Sequence, residues 1–373
     1  MIGVPARHIL IPIHDFSAGG TELIAFRLAR HWLGAGRQVS ILAGAADGPL
    51  RSRVPEGAPI HILAPQRPRA ATSRLFLGNH MAPVAHDLAP DAIFIPGNFH
   101  FILARALRRA LPQAAILAKI SNPLLPPAID RAALSWLARP ALRALTSGVD
   151  RLAAMSRGLT IEAKAQLGHG RVSTLYDPNI ADGARIDFMQ RPAARPGAPL
   201  RLLAIGRLEP QKDFGLALET VAHLRKFRPV HLRICGEGPM RARLERRVDA
   251  LGLRDSVTLV GFSNGLDEEF RAADLLLITS RYEGGPAVAV EGLAHGVPLV
   301  STDCSLFLRD LMVSPSFGRL VASRSPAALA GAIDAQAALA GPHPNDVAPA
   351  LAPVQESVAA RAYLDLLDRL VSG

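Results

Sequence analysis

Cysteine is scarce in this chain: Cys235 and Cys304 are the two present among 373 residues. So few and so widely spaced, they exclude a disulfide scaffold and a cysteine-built zinc site. No apolar run approaches the ~18 residues that a membrane-spanning helix needs. The short apolar stretch Met1 to Ile13 lacks a small-residue cleavage pattern and reads as a first strand, not a signal peptide. These absences point to a cytoplasmic protein. Aromatics make up 5% of the residues, and no basic stripe is interleaved with them, which speaks against a nucleic-acid platform. G-x-G-x-x-G, the P-loop and the D-x-D pair are missing, as is any repeat of fixed period. Lysine is also rare: Lys119, Lys164, Lys212 and Lys226 are the four in a basic inventory otherwise built of arginine.

The length favours two domains, since single cores rarely grow past about 250 residues. With 49% hydrophobic residues the chain can bury two large cores. The net charge is +10, and it is unevenly spread. Residues 1–185 carry 21 Lys+Arg against 11 Asp+Glu, whereas residues 186–373 carry 21 of each. The excess is either a plain solvated surface or a face that meets something anionic.

Short β-rich runs alternate with helical patterns throughout, the mark of parallel sheets with crossover helices. Strands are expected near His8, Val39, Ile60, Ala92, Ala115, Arg151 and Val172. They resume near Leu202, Val230, Ser256, Leu275 and Pro298. The Pro-rich stretch Arg191 to Pro199 marks the break. The expected organisation is a first domain over 1–185, a linker over 186–198 and a second domain over 199–340. Gly341 to Pro353 reads as a loose stretch, and a last amphipathic helix spans 354–370. Doubly wound domains bind ligands at the carboxyl ends of their strands.

Several strand ends carry candidate chemistry. S-A-G-G-T-E-L follows the first strand, and Gly19 and Gly20 let backbone approach a ligand at a helix start. G-R-L-E-P-Q-K-D follows Leu202 to Ile205. There Gly206 permits the turn, Arg207 and Lys212 can clamp a diphosphate, and Asp213 can cap the next helix. The G-E-G-P loop brings Glu237, and Phe262 follows Gly261, placed to cover a base or to join the core. R-Y-E-G-G-P-A-V-A-V-E-G-L puts Glu283 in a loop and Gly284, Gly285 and Pro286 at a helix start. Glu291 lies within that helix, about 80° round from Glu283 if both are counted at 3.6 residues per turn. A loop carboxylate can accept hydrogen bonds from sugar hydroxyls, and helix-start N–H groups can bind phosphate.

Taken together, the segment from Arg201 to Thr302 resembles the retaining nucleotide-sugar glycosyltransferases of glycosyltransferase family 4. The first half does so more loosely, through S-A-G-G-T-E-L and M-S-R at Met155 to Arg157. The resemblance implies an α/β protein of GT-B type: two doubly wound Rossmann-like domains facing across a cleft, with the C-terminal helix crossing back to the first. It implies that Arg207 and Lys212 hold the diphosphate, Glu283 the sugar and Glu291 the ribose, with the backbone at Gly19 and Gly20 on the donor. It also implies a first-domain histidine near the reaction centre. His100, in G-N-F-H-F, is the candidate, with His14 and the pair Ser121 and Asn122 as rivals. The sequence departs from the family in carrying Asp177 in Y-D-P-N, and in the D-C-S-L-F-L-R-D that follows Thr302.

The expected activity is sugar transfer from a nucleotide-diphosphate donor to a hydroxyl acceptor with retention, in cell-surface polysaccharide or glycolipid assembly. No metal and no cofactor are expected, and no nucleic-acid partner. A nucleotide-sugar epimerase on the same fold and a non-catalytic polyanion binder remain as alternatives. The basic excess suggests docking on an anionic acceptor or on the cytoplasmic face of a membrane. Arg105, Arg108, Arg109, Arg139 and Arg143 are the candidates for that contact.

Overall fold

The computed structural model describes residues 5–17, 19–70, 73–125, 131–168, 170–183, 188–263 and 265–373, without the side chains of 131–136. The chain divides into two compact units. Met1–Asp182 with Pro353–Gly373 form the first, and Gly183–Ala352 form the second.

The first unit holds a seven-stranded parallel sheet in the order β3-β2-β1-β4-β5-β6-β7. Its strands are β1 (His8–Ile13), β2 (Gln38–Ala43), β3 (Ile60–Ile62), β4 (Ala92–Ile95), β5 (Ala115–Ile120), β6 (Arg151–Ala154) and β7 (Val172–Thr174). Its helices include α1 (Gly20–Gly34), α2 (Ser73–Leu88), α3 (Ala104–Ala110), α4 (Arg131–Leu145) and α5 (Arg157–Leu167). Continuous apolar runs such as His8–Ile13 suit strands covered on both faces, and five of its six residues are buried. In α1, Ile24, Leu28 and Trp32 repeat at helical spacing and are buried. The helix stops where Gly36 takes a φ of +78°, a conformation open to glycine.

The second unit holds a six-stranded parallel sheet in the order β10-β9-β8-β11-β12-β13. The strands are β8 (Leu200–Ile205), β9 (Val230–Cys235), β10 (Val257–Gly261), β11 (Leu275–Ile278), β12 (Leu299–Thr302) and β13 (Gly318–Val321). The helices are α6 (Phe214–Leu224), α7 (Arg241–Ala250), α8 (Asp267–Ala272), α9 (Ala287–Ala294), α10 (Leu306–Leu311), α11 (Pro326–Ala337) and α12 (Pro344–Leu351). The edge strand β13 escapes a reading by apolar runs, because it is short and has no buried residue. The stretch expected to be loose, Gly341 to Pro353, instead contains α12. Pro344 sits in its first turn, where a missing N–H costs nothing.

The stretch expected as a linker is anchored to the second unit. Arg191 is buried and donates to the carbonyl oxygens of Ala273 (2.9 Å), His295 (2.6 Å), Phe270 (2.6 Å) and Met189. It thereby satisfies carbonyls at the ends of α8 and α9. Burial lowers its pKa to about 10, which leaves it charged at neutral pH.

The last helix, α13 (Glu356–Val371), belongs to the first unit. Trp32 Nε1 donates to the Ala360 carbonyl at 3.1 Å. Phe94 stands edge-on between Trp32 (5.4 Å) and Tyr363 (5.6 Å). Burying an apolar side chain of this class contributes ~1.5–3 kcal/mol, and an aromatic pair adds ~0.5–1.5 kcal/mol. The helix is therefore part of the core of the first unit and not an appendage.

Candidate functional site

In each sheet the strand order reverses once, next to the unit's first strand. β8 lies beside β11 in the second unit, and β1 beside β4 in the first. Such switch points open a crevice at the carboxyl ends of the strands. The sequence candidates of the second unit gather there. The loops after β8, β9 and β10 interlock through Gly206 N–H to Cys235 O (3.0 Å), Leu208 N–H to Glu237 O (2.8 Å) and Gly236 N–H to Gly261 O (2.8 Å). Gly236, at φ +147°, has no room for a side chain: a Cβ would lie 1.9 Å from the Gly206 carbonyl oxygen.

Across the switch point, Lys212 Nζ meets Glu283 Oε1 at 2.5 Å. Ser280 Oγ donates to the same oxygen at 2.7 Å, and Glu283 N–H donates to the Cys304 carbonyl at 2.8 Å. The loop after β8 is also tied to the loop after β11 by Thr279 Oγ1 to Lys212 O (3.0 Å) and Gln211 Nε2 to Tyr282 O (2.9 Å). Lys212 and Glu283 are thus fixed and charge-paired. Arg207 is largely exposed and pairs with Glu209 at 2.8 Å. Asp213 does not cap α6: its backbone sits at φ +47°, and its carboxylate accepts from Arg324 (2.8 Å) and Arg281 (3.0 Å).

Gly284 is buried, and its carbonyl accepts from Ser305 Oγ at 2.7 Å. Gly285 is half-buried and Pro286 precedes α9, whose first turn no side chain caps. Its N–H groups are available to an anion. Glu291 is half-buried on α9. The helical offset assumed between Glu283 and Glu291 does not hold, because Glu283 lies before the helix begins at Ala287. Phe262 is 76% exposed, so it is not core. Glu237 pairs with Arg241 at 2.7 Å, at the rim of the interlocked loops.

The first unit has its own switch-point cluster, and sequence reading found only part of it. His100 is buried after β4, and its Nε2 accepts the His14 backbone N–H at 3.2 Å. Burial, with Arg69 and His14 nearby, lowers the His100 pKa to about 3, and burial and Arg69 also lower that of His14. Both rings are therefore neutral. Asp15, directly after His14, accepts from Arg69 Nε and Nη2 at 2.9 Å each. Burial raises the Asp15 pKa, but the bonds from Arg69 and Ser17 outweigh it and hold it at about 2. Burial raises that of Glu22. A Cβ on Gly19 would lie 2.4 Å from Glu22 Oε2, so Gly19 makes room for that carboxyl, whereas nothing crowds Gly20. Ser121 and Asn122 serve Asn98: Ser121 N–H donates to Asn98 Oδ1, and Asn98 Nδ2 to the Asn122 carbonyl, each at 2.8 Å.

Asp15, Glu22, Arg69 and Phe99 were not singled out from the sequence. Asp15 and Glu22 lie in the quoted run after the first strand, where a buried carboxyl could have been suspected. Arg69 sits in an irregular R-P-R-A stretch, and only the fold brings it to β1. The departure at Asp177 also finds a reason: it forms a buried ion pair with Lys119 at 2.9 Å. Ser156 of M-S-R caps α5, accepting from Leu159 N–H at 3.0 Å.

Three of the five arginines proposed for an anionic contact are engaged within the first unit. Arg108 binds the carbonyls of Pro112 (2.9 Å) and Ala114 (2.8 Å) and pairs with Asp150. Arg143 donates to Leu167 O at 2.7 Å, and Arg139 to Ala165 O at 3.0 Å. Arg105 and Arg109 are exposed. Among the described residues, no group of three His, Cys, Asp or Glu is placed to hold a metal ion, and no helix is long and apolar enough to cross a membrane.

Residues 186–341 match the family model for Glycosyl transferases group 1. The second unit is therefore a domain of that family, and the chain as a whole has the α/β fold of GT-B type. The chain is 35% identical over 104 residues to the amylovoran biosynthesis glycosyltransferase AmsD of Erwinia amylovora, covering 28% of this chain and 29% of that protein. It is 32% identical over 155 residues to the putative colanic acid biosynthesis glycosyltransferase WcaL of Escherichia coli, covering 38% of this chain and 37% of the other. The chain thus spans well under half the length of these curated relatives. Among solved structures, Anabaena Alr3699/HepE in complex with UDP and glucose superposes with a TM-score of 0.73 at 16% identity, over 97% of this chain and 99% of that one.

Proposed function

We propose that this protein is a retaining glycosyltransferase that moves a sugar from a nucleotide-diphosphate donor to a hydroxyl acceptor. The observation that carries this reading is the Lys212–Glu283 pair fixed across the switch point, beside the uncapped start of α9. A cation, a carboxylate and free N–H groups at one crevice suit the diphosphate and hydroxyls of a nucleotide sugar. In the transfer, the bond from the anomeric carbon to the diphosphate oxygen breaks and a bond to the acceptor oxygen forms on the same face. The acceptor's proton passes to the departing phosphate oxygen. Negative charge grows on the diphosphate, where Lys212, Arg207 and the α9 N–H groups stabilise it without a metal ion. Glu283 holds the donor sugar, and Glu291 the ribose. Gly206, Glu237, Phe262, Gly284, Gly285 and Pro286 form the rest of the donor surface. Relatives named for amylovoran and colanic acid biosynthesis support a setting in surface polysaccharide or glycolipid assembly.

A panel of UDP-, GDP- and ADP-sugars tests the reading by thermal stabilisation and product analysis. A donor at 100 times its Kd adds ~2.7 kcal/mol of stability. Arg207→Ala and Glu291→Ala, still folded, lose most transfer activity; wild-type rates in both would sink the assignment. A product in which only the donor sugar has changed configuration would replace it with an epimerase.

A further inference from the structure

The switch-point cluster of the first unit has features that donor binding leaves unexplained. Phe99 lies under two guanidinium groups, with the carbon of Arg69 4.7 Å and that of Arg74 5.2 Å from the ring centroid. Arg69 is neutralised by its paired bonds to Asp15. Arg67 and Arg74 make no ion pair among the described residues, so two positive charges stand uncompensated. Arg67 Nε, His14 Nδ1 and His100 Nδ1 are buried without a hydrogen-bond partner. Buried polar atoms are nearly always satisfied, and three exceptions in one cluster mark a place completed by something else. Directly beside Arg74, at the start of α2, Leu75 and Phe76 are 52% and 60% exposed.

Unpaired guanidinium groups match phosphate oxygens, and adjacent exposed apolar side chains match a hydrocarbon chain. A carboxylated sugar would leave Leu75 and Phe76 unused, and a neutral lipid would leave Arg67 and Arg74 unused. We propose that this cluster is the acceptor subsite and that the acceptor is a phosphate-bearing amphiphile. It would be a saccharide on a lipid phosphate or diphosphate, with the phosphate on Arg67 and Arg74 and the chain against Leu75 and Phe76. The assignment as acceptor rests on the transfer reading above; the lipid-phosphate chemistry stands on this cluster alone.

Three probes test it by calorimetry: farnesyl diphosphate, inorganic diphosphate and farnesol. Farnesyl diphosphate binds at least tenfold more tightly than either of the others. The double variant Arg67→Gln/Arg74→Gln loses at least tenfold, as does Leu75→Ser/Phe76→Ser. Arg74→Gln alone, fully at the surface, loses severalfold, which guards against a folding defect. Stabilisation by the nucleotide sugar that binds wild type is unchanged in all of them. Wild-type affinity in the variants, or farnesol binding as tightly as farnesyl diphosphate, would overturn the proposal. So would phosphatidylglycerol vesicles that displace farnesyl diphosphate with the same dependence on the variants, since that marks a general membrane patch. If no nucleotide sugar stabilises the wild type while farnesyl diphosphate still binds, the transfer reading fails and the lipid-phosphate site is upheld.

Discussion

At the scale of single residues, both switch points are built from groups whose charge is set by their neighbours. His100 is the clearest case. Its pKa in the fold is about 3 against an ordinary 6.5. Below pH 6.5 the unfolded chain takes up a proton that the folded chain refuses, so stability falls as the pH drops toward 3. One such group contributes a slope of up to ~1.4 kcal/mol per pH unit. Urea midpoints of wild type and His100→Gln between pH 6.5 and 4 check this: the variant has the shallower dependence, and equal slopes would refute it. Lys119 and Asp177 teach the same lesson at β5, where an unusual lysine and an unusual aspartate explain each other.

At the scale of elements, the donor loops depend on glycine in one place and not in another. Gly236 holds a φ of +147°, and its missing Cβ lets the β9 loop close on the Gly206 carbonyl. Gly236→Ala therefore costs about 2–4 kcal/mol and spoils the interlocked loops. Gly20, with nothing within 4 Å of a built Cβ, tolerates alanine within about 0.5 kcal/mol. Thermal denaturation of the two variants tests the contrast. Arg191 shows how a stretch rich in proline, read as a linker, becomes part of a unit when one guanidinium gathers four carbonyls.

At the scale of the molecule, α13 decides what the first unit is. It closes the core around Trp32 and Phe94 from 170 residues farther along the chain than Asp182. Truncation after Ala352 leaves that face open. Hydrogen exchange at the amides of β1 and α1 then loses its protection, and unchanged protection would show that the first unit stands without the helix. The same division redistributes the charge. The first unit holds 22 Lys+Arg against 14 Asp+Glu, and the second holds 20 against 18. The basic excess stays with the first unit, but Arg108, Arg139 and Arg143 spend theirs on backbone carbonyls. The unspent charge at a strand end is that of Arg67 and Arg74.

Local pattern was enough to expose most of the architecture. Continuous apolar runs placed twelve of the strands, because a strand buried on both faces must be apolar throughout. Glycine-rich strand ends placed the donor loops, because close backbone contact demands glycine. The half-exposed edge strand β13 and the proline-led α12 escaped because neither has the periodicity that burial imposes. What only the tertiary structure decided is which side chains meet. Lys212 reaches Glu283, His14 reaches His100 and Asp15 reaches Arg69 because the sheet order sets β8 beside β11 and β1 beside β4. That order is fixed by packing over the whole of each unit, and no spacing along the chain encodes it.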